Sequence, residues 1–312
     1  MFNTEICELL NIKYPIIQGG MAWVATAELA AAVSDAGGLG IIGCGNAPKD
    51  VIKKEIKKAK ELTDKPFGIN IMLLSPYVDD MIDLVHEEKI PVVTTGAGNP
   101  GKYIEGFKKI ETKVIPVVPS VALAKRMERV GCDAVIAEGT EAGGHIGELT
   151  TMSLVPQITD SVNIPVIAAG GIADGRGFVA ALSLGAKAVQ IGTRFVCTEE
   201  CIAHNDYKYK ILKAKDRDAI ATGRSTGHPV RTLKNKLTKE FNKLEKNNVD
   251  KSEIEKMGAG ALKKAVIDGD IEYGSVMAGQ ISGLITDIKS CREVIDEIMS
   301  HAKEVKENIA KL

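Results

Sequence analysis

The stretch IPVIAAGGIADGRGFVAALSLGAKAVQIGTRF, residues 164–195, sets two apolar runs around one amphipathic run. The flanking runs, IPVIAAGGI (164–172) and AVQIGTRF (188–195), are nearly continuous in apolar character, as strands covered on both faces are. The middle run has helical periodicity and reaches Gly185, a residue suited to close a helix. A strand, a helix and a second strand in so short a span form the repeating unit of a parallel α/β fold.

The same unit recurs upstream. Further strand-like runs are YPIIQGG (14–20), GLGIIGCG (38–45), PFGINIML (66–73), IPVVTTGAG (90–98), KVIPVVPS (113–120) and CDAVIAEG (132–139). Amphipathic runs such as DVIKKEIKKAKELT and ALAKRMERVG lie between them, and Gly37 and Gly131 stand at helix-closing positions. Eight strands alternating with helices predict an α/β fold, a (β/α)8 TIM barrel. The alternative is a doubly wound open sheet. That fold usually shows a GxGxxG turn after its first strand, where this chain has QGGMA.

After the eighth run the rhythm changes. Residues 200–272 are polar and helical in pattern, with 12 Lys/Arg against 4 Asp/Glu between 208 and 246. The expected organisation is a barrel of residues 1–199 and 273–312, with 200–272 inserted as a helical lid or substrate subdomain. A last helix near 287–310 closes the barrel. Such an insertion follows a strand's C-terminal end, where barrel active sites lie.

The 312 residues include 31 glycines, 45% hydrophobic side chains and only 4% aromatics, with net charge −1. This balance argues against a nucleic-acid partner. The most apolar stretch, PIIQGGMAWVATAELAAAV, is broken by Gln18, Gly19-Gly20 and Glu28, which argues against a membrane span. MFNTEICELLNIKYP lacks a signal-peptide pattern. The six cysteines have no paired metal spacing, so free thiols in a cytoplasmic protein and no metal site are expected.

Chemistry in such barrels collects at the strand exits. Here these carry Gln18-Gly19-Gly20-Met21, Asn70, Thr95-Gly96, Glu138, Ala169-Gly170-Gly171 and Gln190-Ile191-Gly192-Thr193. Small residues let backbone approach a flat polar ligand, and the amides of Asn70 and Gln190 suit a heterocycle with donors and acceptors. The glycines of the seventh and eighth exits occupy the usual phosphate position. Glu138 suits a ribityl hydroxyl or the support of the loop that holds His145 in AEGTEAGGHIG (137–147). Gln18, Met21 and Thr95 join the ligand floor as parts of that set. His228, in TGHPVR, has no assigned role.

AEGTEAGGHIG, AAGGIADG and QIGTRF, with PIIQGGMA before them and SVMAGQISGL after, resemble the nitronate monooxygenase (2-nitropropane dioxygenase) superfamily of FMN-dependent barrels. TGHPVRTLKNKL and EKMGAGALKKAVIDGDIEYGSVMAGQ are similar to the FMN-dependent enoyl-[acyl-carrier-protein] reductases of type II within it. The resemblance spans about residues 1–310. It implies FMN phosphate at Gly170-Gly171 and Gly192-Thr193, and a flavin ring over Gly19-Gly20-Met21 with Asn70, Thr95 and Gly96 at its edge. Glu138 and Gln190 line the same pocket, and Met277 and Gln280 return to it. His145 matches the family's catalytic histidine.

The resemblance further implies NADH or NADPH as co-substrate, a monovalent cation, a homodimer, and an enoyl thioester bound to acyl carrier protein as substrate. Three roles stay open for His145: protonating the thioester oxygen, protonating the α-carbon, or orienting the thioester. The basic stretch suggests carrier docking through Lys234, Lys236 or Arg231, or simply solvated helices. Two rival functions are oxidation of nitronates with O2 and a non-catalytic phosphate-ligand sensor.

Overall fold

The structure is a computed structural model that describes residues 2–247 and 249–311. Its strands are β1 (Ile16–Gln18), β2 (Gly40–Gly43), β3 (Phe67–Met72), β4 (Val92–Gly96), β5 (Lys113–Val118), β6 (Val135–Glu138), β7 (Gly144–His145), β8 (Val166–Ala169) and β9 (Ala188–Ile191). All but β7 form one parallel sheet, in the order β1-β9-β8-β6-β5-β4-β3-β2. A parallel bridge between Ile17 and Leu39 brings β1 back to β2 and closes the barrel. The eight strands coincide with the eight apolar runs.

Helices α1 (Glu5–Leu10), α2 (Ala27–Asp35), α3 (Lys49–Leu62), α4 (Val78–Glu88), α5 (Ile104–Lys109), α6 (Val121–Arg129), α7 (Thr151–Thr159) and α8 (Gly175–Ser183) precede or separate the strands. One core fills the barrel, with Ile17, Ile41, Val92, Ile115, Ile136, Ile167 and Ala188 pointing inward; Ile6 and Leu10 of α1 join it as a plug. The other core lies between strands and helices. The six cysteines are buried free thiols, and burial pushes Cys44 up to about 12.

The seam between β1 and β2 uses a side chain. Gln18 is fully buried, and its Oε1 accepts from Ile41 N at 3.1 Å while its Nε2 donates to Ile41 O at 3.2 Å. Nε2 also faces Gly19 O. The amide thereby takes up both backbone groups of Ile41 that a longer β1 would have paired. Gln18 closes the barrel and does not belong to the ligand floor suggested by its position in the sequence.

Beyond β9 the chain forms α9 (Thr193–Val196), α10 (Asn205–Leu212), β10 (Ala219–Thr222), β11 (Val230–Leu233), α11 (Lys236–Lys246), α12 (Lys251–Gly258), α13 (Ala261–Ile267) and α14 (Cys291–Ile309). The stretch 200–272 is therefore not purely helical. β10 pairs antiparallel with β11, which pairs with β7, the Gly144–His145 segment. AIAT and VRTL are short β-compatible runs in a lysine-rich setting, and a partner of two residues far upstream completes their sheet. α14 packs on α8 and α2; a Cβ at Gly175 would lie 2.3 Å from Ala302 N, so glycine permits this close crossing. Among the described residues no helix is long and apolar enough to cross a membrane.

Candidate active site

Side-chain alternation decides what reaches the barrel mouth. In β4, Val92 belongs to the inner core and Val93 to the helix-side core. Thr94 and Gly96 therefore share the inner face, and Thr95 faces the helices. Asn70 Nδ2 donates to Thr94 Oγ1 at 2.9 Å, consistent with an inward Thr94. Thr95 is 1% exposed, and its hydroxyl has no hydrogen-bond partner among the described residues. The hydroxyl that meets Asn70 is thus that of Thr94, which the strand-exit pattern did not single out, while the Thr95 side chain faces away from the barrel mouth.

The floor is backbone laid on amides. A Cβ at Gly20 would fall 2.2 Å from Asn70 Cβ, and one at Gly19 would fall 3.3 Å from Gln190 Cδ. Met21 reaches across the exits, its sulfur 3.5 Å from the Cβ position of Gly192. At Gly96 that position meets nothing within 4 Å, leaving open space over the inner face. Gly170 and Gly171 after Ala169 adopt φ of +89° and +74°, where L side chains are strained. Among the described residues, the amides of Gly170, Gly171, Gly192 and Thr193 donate to no backbone carbonyl. Four such N–H groups at adjacent exits are the donors an anion would need.

Glu138 ends β6 on the inner face. Burial pushes its carboxyl up to about 7, and its side chain makes no hydrogen bond among the described residues. The following loop is held from several sides. Gly139 N donates to Ala169 O at 2.9 Å, and Thr140 N to Leu149 O at 2.8 Å. Both Glu141 carboxylate oxygens accept from Thr151 N at 3.0 Å, tying the loop to the start of α7. Arg231 of β11 donates from Nε to Thr140 O at 3.0 Å and from a terminal nitrogen to Ala219 O at 3.2 Å. Arg231 is 6% exposed, so it holds the loop and is not available for carrier docking. Lys234 and Lys236 are exposed but stand beside Asp218 and Glu272.

His145 emerges from this loop. It pairs with Val230 across β7 and β11, and Ile146 N donates to Pro229 O at 3.1 Å. The ring is exposed at the mouth, yet protein crowds it. Desolvation first, then the neighbouring His228, lower its pKa below the usual imidazole value. The shift favours the neutral form of the ring.

The return segment closes the far side. Gly279 N donates to Thr193 Oγ1 at 2.9 Å, and Gln280 N to Glu141 O at 2.9 Å. The buried Tyr207 of α10 donates its hydroxyl to Met277 O at 2.6 Å. The Met277 sulfur lies 3.5 Å from the Cβ position of Gly144, beside His145. Gln280 contributes its backbone, and its side chain is exposed. One mouth thus gathers a glycine-and-amide floor, a set of amides without backbone acceptors, a half-buried carboxyl, an imidazole and a thioether. These parts fit a flat, phosphate-bearing heterocycle such as FMN.

The nitronate monooxygenase family model matches residues 3–83 and 77–301. The chain is 37% identical to a probable nitronate monooxygenase of Staphylococcus saprophyticus, covering 97% of this chain and 98% of that one. It is 33% identical to a (3aS,4S,5R,7aS)-5-hydroxy-7a-methyl-1-oxo-octahydro-1H-indene-4-carboxyl-CoA dehydrogenase of Rhodococcus jostii, over 96% of each. The solved structure of FabK from Thermotoga maritima is similar with a TM-score of 0.97 and 52% identity, covering 100% of this chain and 99% of that one. The chain is an oxidoreductase fold of the nitronate monooxygenase family, to which it belongs.

Proposed function

We propose that this protein is an FMN-dependent enoyl-[acyl-carrier-protein] reductase, taking hydride from NADH or NADPH and reducing trans-2-enoyl thioesters. The observation that carries the reading is the full-length likeness to FabK at 52% identity, against 37% for the nitronate monooxygenase relative. It includes the inserted segment that supplies β11 and the return loop. The Rhodococcus relative's name also places a thioester substrate within the family.

When bound, FMN supplies the hydride acceptor and donor. The chain does the rest. The amides of Gly170, Gly171, Gly192 and Thr193 would hold the phosphate, and Gly19, Gly20 and Met21 would underlie the ring. Asn70, its amide already fixed by Thr94, and Gln190 would meet the polar edge. Glu138, half-ionised near pH 7, can either donate to or accept from a cofactor hydroxyl. Met277 and His145 border the space left for the thioester. A neutral His145 donates a hydrogen bond to the thioester oxygen, where charge builds; in its protonated form it is a stronger acid than an ordinary imidazole.

The same neutral imidazole is also a competent base, which favours a second reading, proton removal from a nitroalkane before oxidation by O2. The two readings separate in one pair of assays. The reductase reading expects NADH or NADPH consumption with crotonyl thioester and no oxygen uptake with a nitronate. The reverse pattern would overturn it.

A further inference from the structure

Two imidazoles are neighbours at the edge of the small sheet. His145 is directly opposite Val230, and the bond from Ile146 N to Pro229 O, 3.1 Å, carries the ladder one step further. His228 lies in the loop just before β11; continued two residues, the register would set it opposite Gly147, diagonal to His145. Such diagonal pairs lie about 7–8 Å apart at Cα, within reach of ring side chains or of one bridging water. His228 is exposed, and its backbone N–H is fixed by Thr226 Oγ1 at 3.1 Å.

The charged groups on the surrounding elements are already engaged. Arg224 pairs with Glu148 at 3.1 Å. Glu245 of α11 accepts from Gly223 N and Ser225 N, both at 3.0 Å. Arg231 is bound to two carbonyls, and Glu141 to Thr151. Among the described residues the groups left able to pass a proton at the mouth are Glu138, at the end of β6, and the two imidazoles, which lie on the β7–β11 side.

We propose that His228 is the outer member of a proton relay, taking a proton from water and returning it to His145 after each turnover. The relay rests on the reductase reading. That reaction consumes NAD(P)H and one solvent proton: hydride adds to the β-carbon, the α-carbon gains the proton, and the C=C bond becomes single. The proton leaves the cationic form of His145, which is left as a neutral imidazole. His228 takes a proton from solvent, becomes cationic, and passes that proton to His145, returning to neutral itself. Only N–H and O–H bonds are exchanged, and no further oxidant or reductant is needed. Two neighbouring cationic imidazoles repel, so the pair holds one proton more readily than two, which suits a group that must pass protons rather than store them.

The test uses the FMN-loaded wild type and His228→Gln, assayed with crotonyl thioester and NADH across pH 6–9, with and without free imidazole. Histidine NMR titration of both proteins provides a readout independent of turnover. The expected result is a turnover loss of about 10- to 100-fold, at or below the usual range for acid–base catalysis. The loss steepens with rising pH and is partly restored by imidazole. The His145 midpoint rises once its neighbour is gone. A variant with wild-type turnover and pH profile, or an unmoved His145 midpoint, overturns the relay alone. A wild type that oxidises a nitronate and leaves the thioester untouched overturns the reductase reading, and the relay with it.

Discussion

Glu138 offers a prediction whose size follows from its surroundings. An ordinary glutamate releases its proton near 4.5, but burial at the end of β6 raises this carboxyl to about 7. Between those two values the unfolded chain has lost the proton and the folded chain still holds it. The folded state is therefore progressively disfavoured as pH rises through the interval, by about 3 kcal/mol in all. Below pH 4.5 both states are protonated and the effect vanishes; above 7 it is complete. Glu138→Gln keeps the shape and removes the titration. Urea unfolding of cofactor-free wild type and variant, from pH 4 to 8, should give similar stabilities at pH 4. At pH 8 the variant should be the more stable by up to about 3 kcal/mol. Parallel curves across the whole range would show that the carboxyl is well solvated and refute the reasoning.

Other perturbations probe separate parts of the barrel. Gln18→Leu leaves Ile41 N and O unpaired at the β1–β2 seam and should cost about 2–4 kcal/mol, read as a lowered urea midpoint. Gly20→Ala puts a methyl group on Asn70, which must swing off Thr94. FMN content, measured from visible absorbance, should drop while the far-ultraviolet circular dichroism stays native. His145→Ala should retain FMN and lose about 10²- to 10⁴-fold in enoyl reduction, and a wild-type rate would remove the histidine from the chemistry.

The barrel was legible because its strands are covered on both faces and so stand out as unbroken apolar runs. That same feature hid the phase within each strand. Thr94 and Thr95 both sit in apolar surroundings, and nothing local tells which points inward; the fixed reference is Val92 in the inner core. His145 and the glycine exits were legible as chemistry-bearing residues out of pattern, and the return segment entered through the family resemblance alone. The lysine-rich insertion concealed β10 and β11, because a two-residue partner strand leaves almost no periodicity to read. Arg231 then looked like one surface cation among many, although it is a buried clamp. Gln18 could not be interpreted before the barrel was known to close beside it.

The pairing of β7 with β11 means that the imidazole at the mouth is aimed by residues more than eighty positions downstream. In a protein assembled by exchanging segments between relatives, the barrel would keep its histidine and still lose its bearing if the incoming insertion carried a different VRTL strand. Variation confined to residues 219–233 should therefore shift the bearing of His145 in this chain while leaving the barrel's own residues unchanged.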